Sequence, residues 1–144
     1  MKVFFVSMIV LFSIVVNAQK AKEAPIFSTK DGAIKGYDPV AYFISSQPTK
    51  GLKAISHSWN GATWYFTSEA NKKLFADNPE KYAPQYGGYC AYGWAQGYAV
   101  KIEADAWAIV DGKLYLNYNK SVQKDWDKDR AGYIKKADDN FKRK

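Results

Sequence analysis

Asn60-Gly61 lies between two runs of β-formers, Ile55–Trp59 and Ala62–Phe66, and constrains the path of this chain more than any other dipeptide. A two-residue type I′ turn needs positive φ at both central positions, which Asn and Gly tolerate and most residues do not. A two-residue loop also sets the pairing: Trp59 opposite Ala62, His57 opposite Trp64, Ile55 opposite Phe66. Strand alternation then puts Ile55, His57, Trp59, Trp64 and Phe66 on one face, and Ser56, Ser58, Thr63 and Tyr65 on the other. A second hairpin turns at Asp111-Gly112 and presents Trp107, Ile109, Leu114 and Leu116 as one apolar face.

Helix signals lie between and after these hairpins. Asp38-Pro39 pairs an N-cap residue with proline at the first helical position, opening a short helix through Tyr42. A helix beginning near Thr67 or Ser68 carries Ala70, Leu74 and Phe75 at helical spacing, and Asn78-Pro79 marks another start. From about Ser121, one terminal helix aligns Val122, Trp126, Tyr133, Ala137 and Phe141. The pattern predicts an α+β domain: a small antiparallel sheet built from two β-hairpins, helices packed on one face, and a C-terminal helix.

Residues 1–18 have one lysine, an apolar run from Val3 to Val16, and the small-x-small end Val16-Asn17-Ala18. These are the parts of a secretory signal peptide. The run is shorter than the ~20 residues a membrane-spanning helix needs. The expectation is therefore cleavage after Ala18, no stable membrane anchor, and a secreted or periplasmic location. Removing those 18 residues, Lys2 among them, from a 144-residue chain of net charge +7 leaves 126 residues at +6. That length suits one domain. Residues 19–32 read as an extended lead-in and 33–144 as the domain, with no internal linker and no evident repeat.

The lysines are scattered among acidic residues, as on a solvated surface, and no clustered patch suggests a nucleic-acid partner. The mature chain has one cysteine, Cys90, one histidine, His57, and no methionine. A lone cysteine in an exported chain is buried, reactive, metal-bound or paired with another chain.

Gly36-Tyr37-Asp38-Pro39-Val40-Ala41-Tyr42-Phe43, the first hairpin, and the stretch from Phe66 to Ala91 resemble the YHS domain family. The match is closest to its longer exported form, whose final Gly-Lys-Leu-Tyr-Leu-Asn hairpin stands at Gly112–Asn117. The resemblance implies a link to metal binding, in some members to copper or other heavy metals. Metal-type members carry Phe-Cys-Ser-x-x-Cys at the start of the helix after the hairpin. Thr67 and Asn71 stand here at the two cysteine positions.

Three readings follow. The first is a binding or accessory protein that takes a small ligand or a metal ion. His57, Cys90 and Asp38 are the candidate ligands for a transition-metal ion such as copper or zinc, which favours imidazole and thiolate. Trp64, Tyr86, Tyr89 and Trp94 are candidates for an aromatic ligand site in the Gly-rich region. The competing structural account packs His57 among tryptophans and buries Cys90 as a small residue. The second reading is a thiol-dependent redox or nucleophilic enzyme using Cys90, activated if Ala91 opens a helix. The third is a non-catalytic structural or protein-interaction module. No pair of carboxylates requires an acid/base role, since the acidic residues mostly stand at turns and helix starts.

Overall fold

The computed structural model describes residues 23–144. A short hairpin, β1 (Ser28–Thr29) and β2 (Gly32–Ala33), leads through a 3-10 turn (Ile34–Gly36) to helix α1 (Pro39–Ile44). Next come the hairpin β3 (Leu52–Trp59) and β4 (Ala62–Phe66), then helices α2 (Glu69–Asp77) and α3 (Pro79–Tyr82). A second 3-10 turn (Gln85–Gly88) enters α4 (Ala91–Ala95), followed by the hairpin β5 (Glu103–Val110) and β6 (Lys113–Asn117). Helices α5 (Lys120–Asp127) and α6 (Arg130–Lys142) complete a mixed α+β fold. The expected signal segment, residues 1–18, lies outside the described residues.

Both hairpin turns form as their chemistry requires. Asn60 and Gly61 have φ of 49° and 77°, and Asp111 and Gly112 have 51° and 75°. Trp59 pairs with Ala62 and His57 with Trp64, but Phe66 pairs with Leu52 and not with Ile55. A bulge between Leu52 and Ser56 shifts the register. The base of β3 is tied to α1's lead-in by a Tyr37–Lys50 bridge and by Gly51 N–H donating to the Gly36 carbonyl. That anchorage, remote in sequence from the turn, displaces the pairing.

The two hairpins do not join into one sheet: the described residues hold three separate two-stranded antiparallel ladders. Helical and loop packing is likewise not confined to one face. Leu114 and Leu116 of β6 belong to a core with Trp64, Phe66 and Phe75. Tyr115 and Ala108 belong to a second core with Trp94, Trp126 and Ala137. The second hairpin is therefore a wall between two apolar clusters.

Three local expectations change. The terminal helix is two helices, because Asp129 leaves the helical path and its carboxylate accepts the Gly132 N–H at 3.0 Å, starting α6 afresh. Asn78 makes no side-chain cap; its backbone N–H closes α2, while Pro79 begins α3. The described part of the lead-in, from residue 23 on, packs onto the folded domain: Ile26 is 3% exposed, and Phe27 N–H donates to the Gly87 carbonyl at 2.8 Å.

Candidate functional site

Asp38 is fully buried and ends in a closed network of hydrogen bonds. Its Oδ1 accepts the N–H of Val40 at 2.8 Å and of Ala41 at 3.3 Å, capping α1. Its Oδ2 accepts the Thr67 N–H at 2.8 Å, the Thr67 hydroxyl at 2.9 Å and the Asn71 amide at 2.9 Å. Asn71 Nδ2 also donates to Thr67 Oγ1 at 3.1 Å. Five donors meet the roughly four lone-pair sites of a carboxylate, so no acceptor capacity remains for a cation. Burying the charge is tolerable because it is fully bonded. The network ties α1, the end of β4 and the first turn of α2 to one side chain.

Cys90 is 1% exposed and serves as the N-cap of α4. Its Sγ accepts the Gly93 N–H at 3.3 Å and the Tyr118 N–H at 3.2 Å, and its thiol donates toward Asn117 Oδ1 at 3.5 Å. Burial pushes the thiol pKa up, and the backbone N–H bonds from Gly93 and Tyr118 only partly oppose the shift. Buried and kept protonated, this thiol is a poor nucleophile and a poor metal ligand. Ala91 does open a helix, but the buried position overrides the gain expected from the helix N-terminus.

His57 lies elsewhere, half-buried and edge-on to Phe75 at 6.2 Å, beside Trp59 and Trp64. Among the described residues no group of three or more His, Cys, Asp or Glu side chains could hold a metal ion. His57, Cys90 and Asp38 are thus not brought together as a ligand set.

The aromatic candidates are also dispersed. Trp64 is fully buried, and its Nε1 donates to the Trp59 carbonyl at 3.2 Å. Tyr89 packs edge-on against Phe27 and donates to the Ala24 carbonyl, fastening the lead-in. Trp94 packs edge-on against Phe141 at 5.3 Å. Two of them line open grooves: Trp94 one of about 530 Å³ with Asn140, Arg143 and Lys144, and Tyr86 one of about 590 Å³ with Trp59, Phe141, Lys113, Lys144 and Glu80. Both volumes lie in the ~300–1,000 Å³ range of small-molecule sites. Tyr86 has a left-handed backbone, φ 60° and ψ 32°, strained by ~1–3 kcal/mol for a bulky residue. Its hydroxyl donates to Asp138 Oδ1 at 2.9 Å, and burial together with that carboxylate raises its pKa. Lys144 Nζ sits 4.0 Å over the Phe141 ring.

Residues 40–86 match the YHS domain family, a span from α1 to the second 3-10 turn. The match supports a YHS domain assignment for that segment. No curated protein and no solved structure matches it. The metal that the YHS resemblance implies does not fit the residues present. Thr67 and Asn71, at the two cysteine positions, point their donors at Asp38 and offer no thiolate.

Two kinds of residue escaped the sequence reading. Thr67 and Asn71 were legible as a pair through the two cysteine positions of the resemblance, but Thr67 precedes the Ser68 cap of α2 and nothing local named Asp38 as their partner. The groove residues Trp59, Phe141, Lys113 and Lys144 come from a hairpin tip, the second hairpin and the chain's end. No motif connects them.

Proposed function

We propose that this chain is an exported, non-catalytic binding or accessory protein whose YHS domain keeps its fold without a metal ion. Its ligand enters the groove floored by Trp59, Tyr86 and Phe141. The observation that carries this reading is the saturation of Asp38: the carboxylate nearest the lost cysteine positions has no lone pair left for a cation. Cys90 is committed in the same way as a cap. The groove, in contrast, offers aromatic faces and two lysine ammonium groups, with Glu80 the opposing charge. That chemistry suits a small molecule with a flat apolar body and an anionic end. Export rests on the pattern of residues 1–18.

Titration of the mature protein with naphthalene-1-sulfonate, followed by 15N–1H chemical shifts, tests the groove. Saturable shifts at the Trp59 indole that weaken severalfold in Lys113→Glu support it. Absence of saturable shifts, or indifference to Lys113→Glu, refutes it. Elemental analysis of protein purified from its native compartment should find no stoichiometric transition metal. Intact mass should begin at Gln19, and a mass retaining Met1 would refute export.

A further inference from the structure

The segments Ile34–Tyr82 and Tyr86–Tyr133 pass through the same elements in the same order, offset by 51 or 52 residues. Each opens with three consecutive left-handed residues: φ is 44°, 60° and 82° at Ile34, Lys35 and Gly36, and 60°, 66° and 82° at Tyr86, Gly87 and Gly88. A tyrosine follows, Tyr37 or Tyr89, and then a buried N-cap, Asp38 or Cys90, heading a short helix. Each continues into a bulged hairpin with an Asn-Gly or Asp-Gly turn. The bulges coincide under the offset: Leu52↔Phe66 then Ser56↔Tyr65 in one, Glu103↔Asn117 then Trp107↔Leu116 in the other. Ser68 and Asn119 cap the next helices through the N–H of Asn71 and Val122.

Hydrogen bonds outside the regular elements recur as well. Tyr37 N–H donates to the Ile34 carbonyl at 3.3 Å, and Tyr89 N–H to Tyr86 at 3.2 Å. Asp38 N–H donates to Thr49 at 2.8 Å, and Cys90 N–H to Val100 at 2.9 Å. Asn78 and Asp129 N–H groups donate to the Phe75 and Trp126 carbonyls, both at 3.2 Å. The N-cap side chain in each accepts the first N–H after its hairpin, from Thr67 or from Tyr118. Even the surface repeats: Trp59, Asn60, Glu80 and Ala83 line the first groove, and Val110, Asp111, Ala131 and Ile134 line another of about 510 Å³ at equivalent positions.

We infer that the chain is a tandem duplication of one unit of about 51 residues, and that Cys90 is the second unit's counterpart of Asp38. The YHS match at residues 40–86 falls on the first unit, and the second is a diverged copy. This corrects the sequence reading, which found no repeat: few identities survive, such as Gly36/Gly88, Tyr37/Tyr89 and Tyr82/Tyr133. The exchanges at the cap are chemically coordinated. Where Thr67 and Asn71 supply side-chain donors, Tyr118 and Val122 supply none to the cap, and the buried carboxylate has become a neutral thiol served by backbone N–H groups alone. An ionised group needs those extra donors and a thiol does not.

The test transplants the first unit's triad into the second. Cys90→Asp alone should lower the thermal midpoint of the mature protein, because a buried carboxylate then lacks its side-chain donors. Adding Tyr118→Thr and Val122→Asn should raise the midpoint above that of Cys90→Asp, although each added change is unfavourable by itself. A triple variant no more stable than Cys90→Asp, or one that fails to fold, overturns the equivalence. Amide exchange of Cys90→Ala provides a second arm: the Gly93 and Tyr118 amides should exchange about tenfold faster, the order expected for losing one hydrogen bond each. Unchanged protection at both amides would equally overturn the assignment.

Discussion

Replacing Asp38 by alanine removes the acceptor shared by α1, β4 and α2. Five bonds lose their partner, but not all are equivalent. The Thr67 hydroxyl and the Asn71 amide already face each other at 3.1 Å and can satisfy one another after a small rotation. The backbone N–H groups of Val40, Ala41 and Thr67 are fixed by their elements. Loss of an N-cap costs about 1 kcal/mol, and a stranded buried donor about 1–3 kcal/mol. Together these give a destabilisation of roughly 4 kcal/mol, a large share of the ~5–15 kcal/mol that holds a typical domain together. With a urea m-value of about 1.5 kcal/mol/M, the midpoint should fall by roughly 2–3 M. Urea unfolding followed by tryptophan fluorescence reads this directly. Asp38→Asn should recover little, since its amide NH₂ would face the Thr67 and Asn71 donors. The same titration with EDTA should leave the wild-type midpoint unchanged. A loss below about 1 kcal/mol for Asp38→Ala at constant m would refute the network as a main tie of the fold, and an EDTA effect of similar size would point to a metal in its place.

Two further outcomes follow from the packing. Phe75 is fully buried against Trp64 at 5.0 Å, Phe66 at 5.2 Å and Trp59 at 5.7 Å, so Phe75→Ala should cost about 3–5 kcal/mol by urea unfolding; a loss under 1 kcal/mol would contradict this core. Cys90 should resist iodoacetamide until the chain unfolds, and its raised pKa fixes the sign of a pH effect. The folded thiol keeps its proton above the ordinary value of about 8.5, so its stabilising contribution is complete below that pH and declines as pH rises through the folded value. Cys90→Ala should flatten that decline above about pH 8.5, and an identical slope in the variant would refute it.

Local chemistry accounts for the parts that were legible in advance. Asn60-Gly61 and Asp111-Gly112 dictated their turns because few other residues accept positive φ in sequence. Asp38-Pro39 and Ser68 announced helix starts because capping depends on residues two or three positions away. The YHS resemblance was legible through the same motifs, and residues 40–86 carry it. The single terminal helix failed at Asp129, where a residue able to cap did so and the apolar periodicity continued across the break.

What the sequence by itself determined, then, is the set of turns, caps and apolar faces, all governed by interactions spanning a few residues. Only the tertiary structure decided which polar group each buried side chain would meet. It brought Thr67 and Asn71 to Asp38 across about thirty residues and set Cys90 beneath Tyr118. It also revealed the second unit as a copy of the first. A backbone path is held by hydrogen bonds and φ values that many side chains can satisfy, so the path outlasts the residues that first built it.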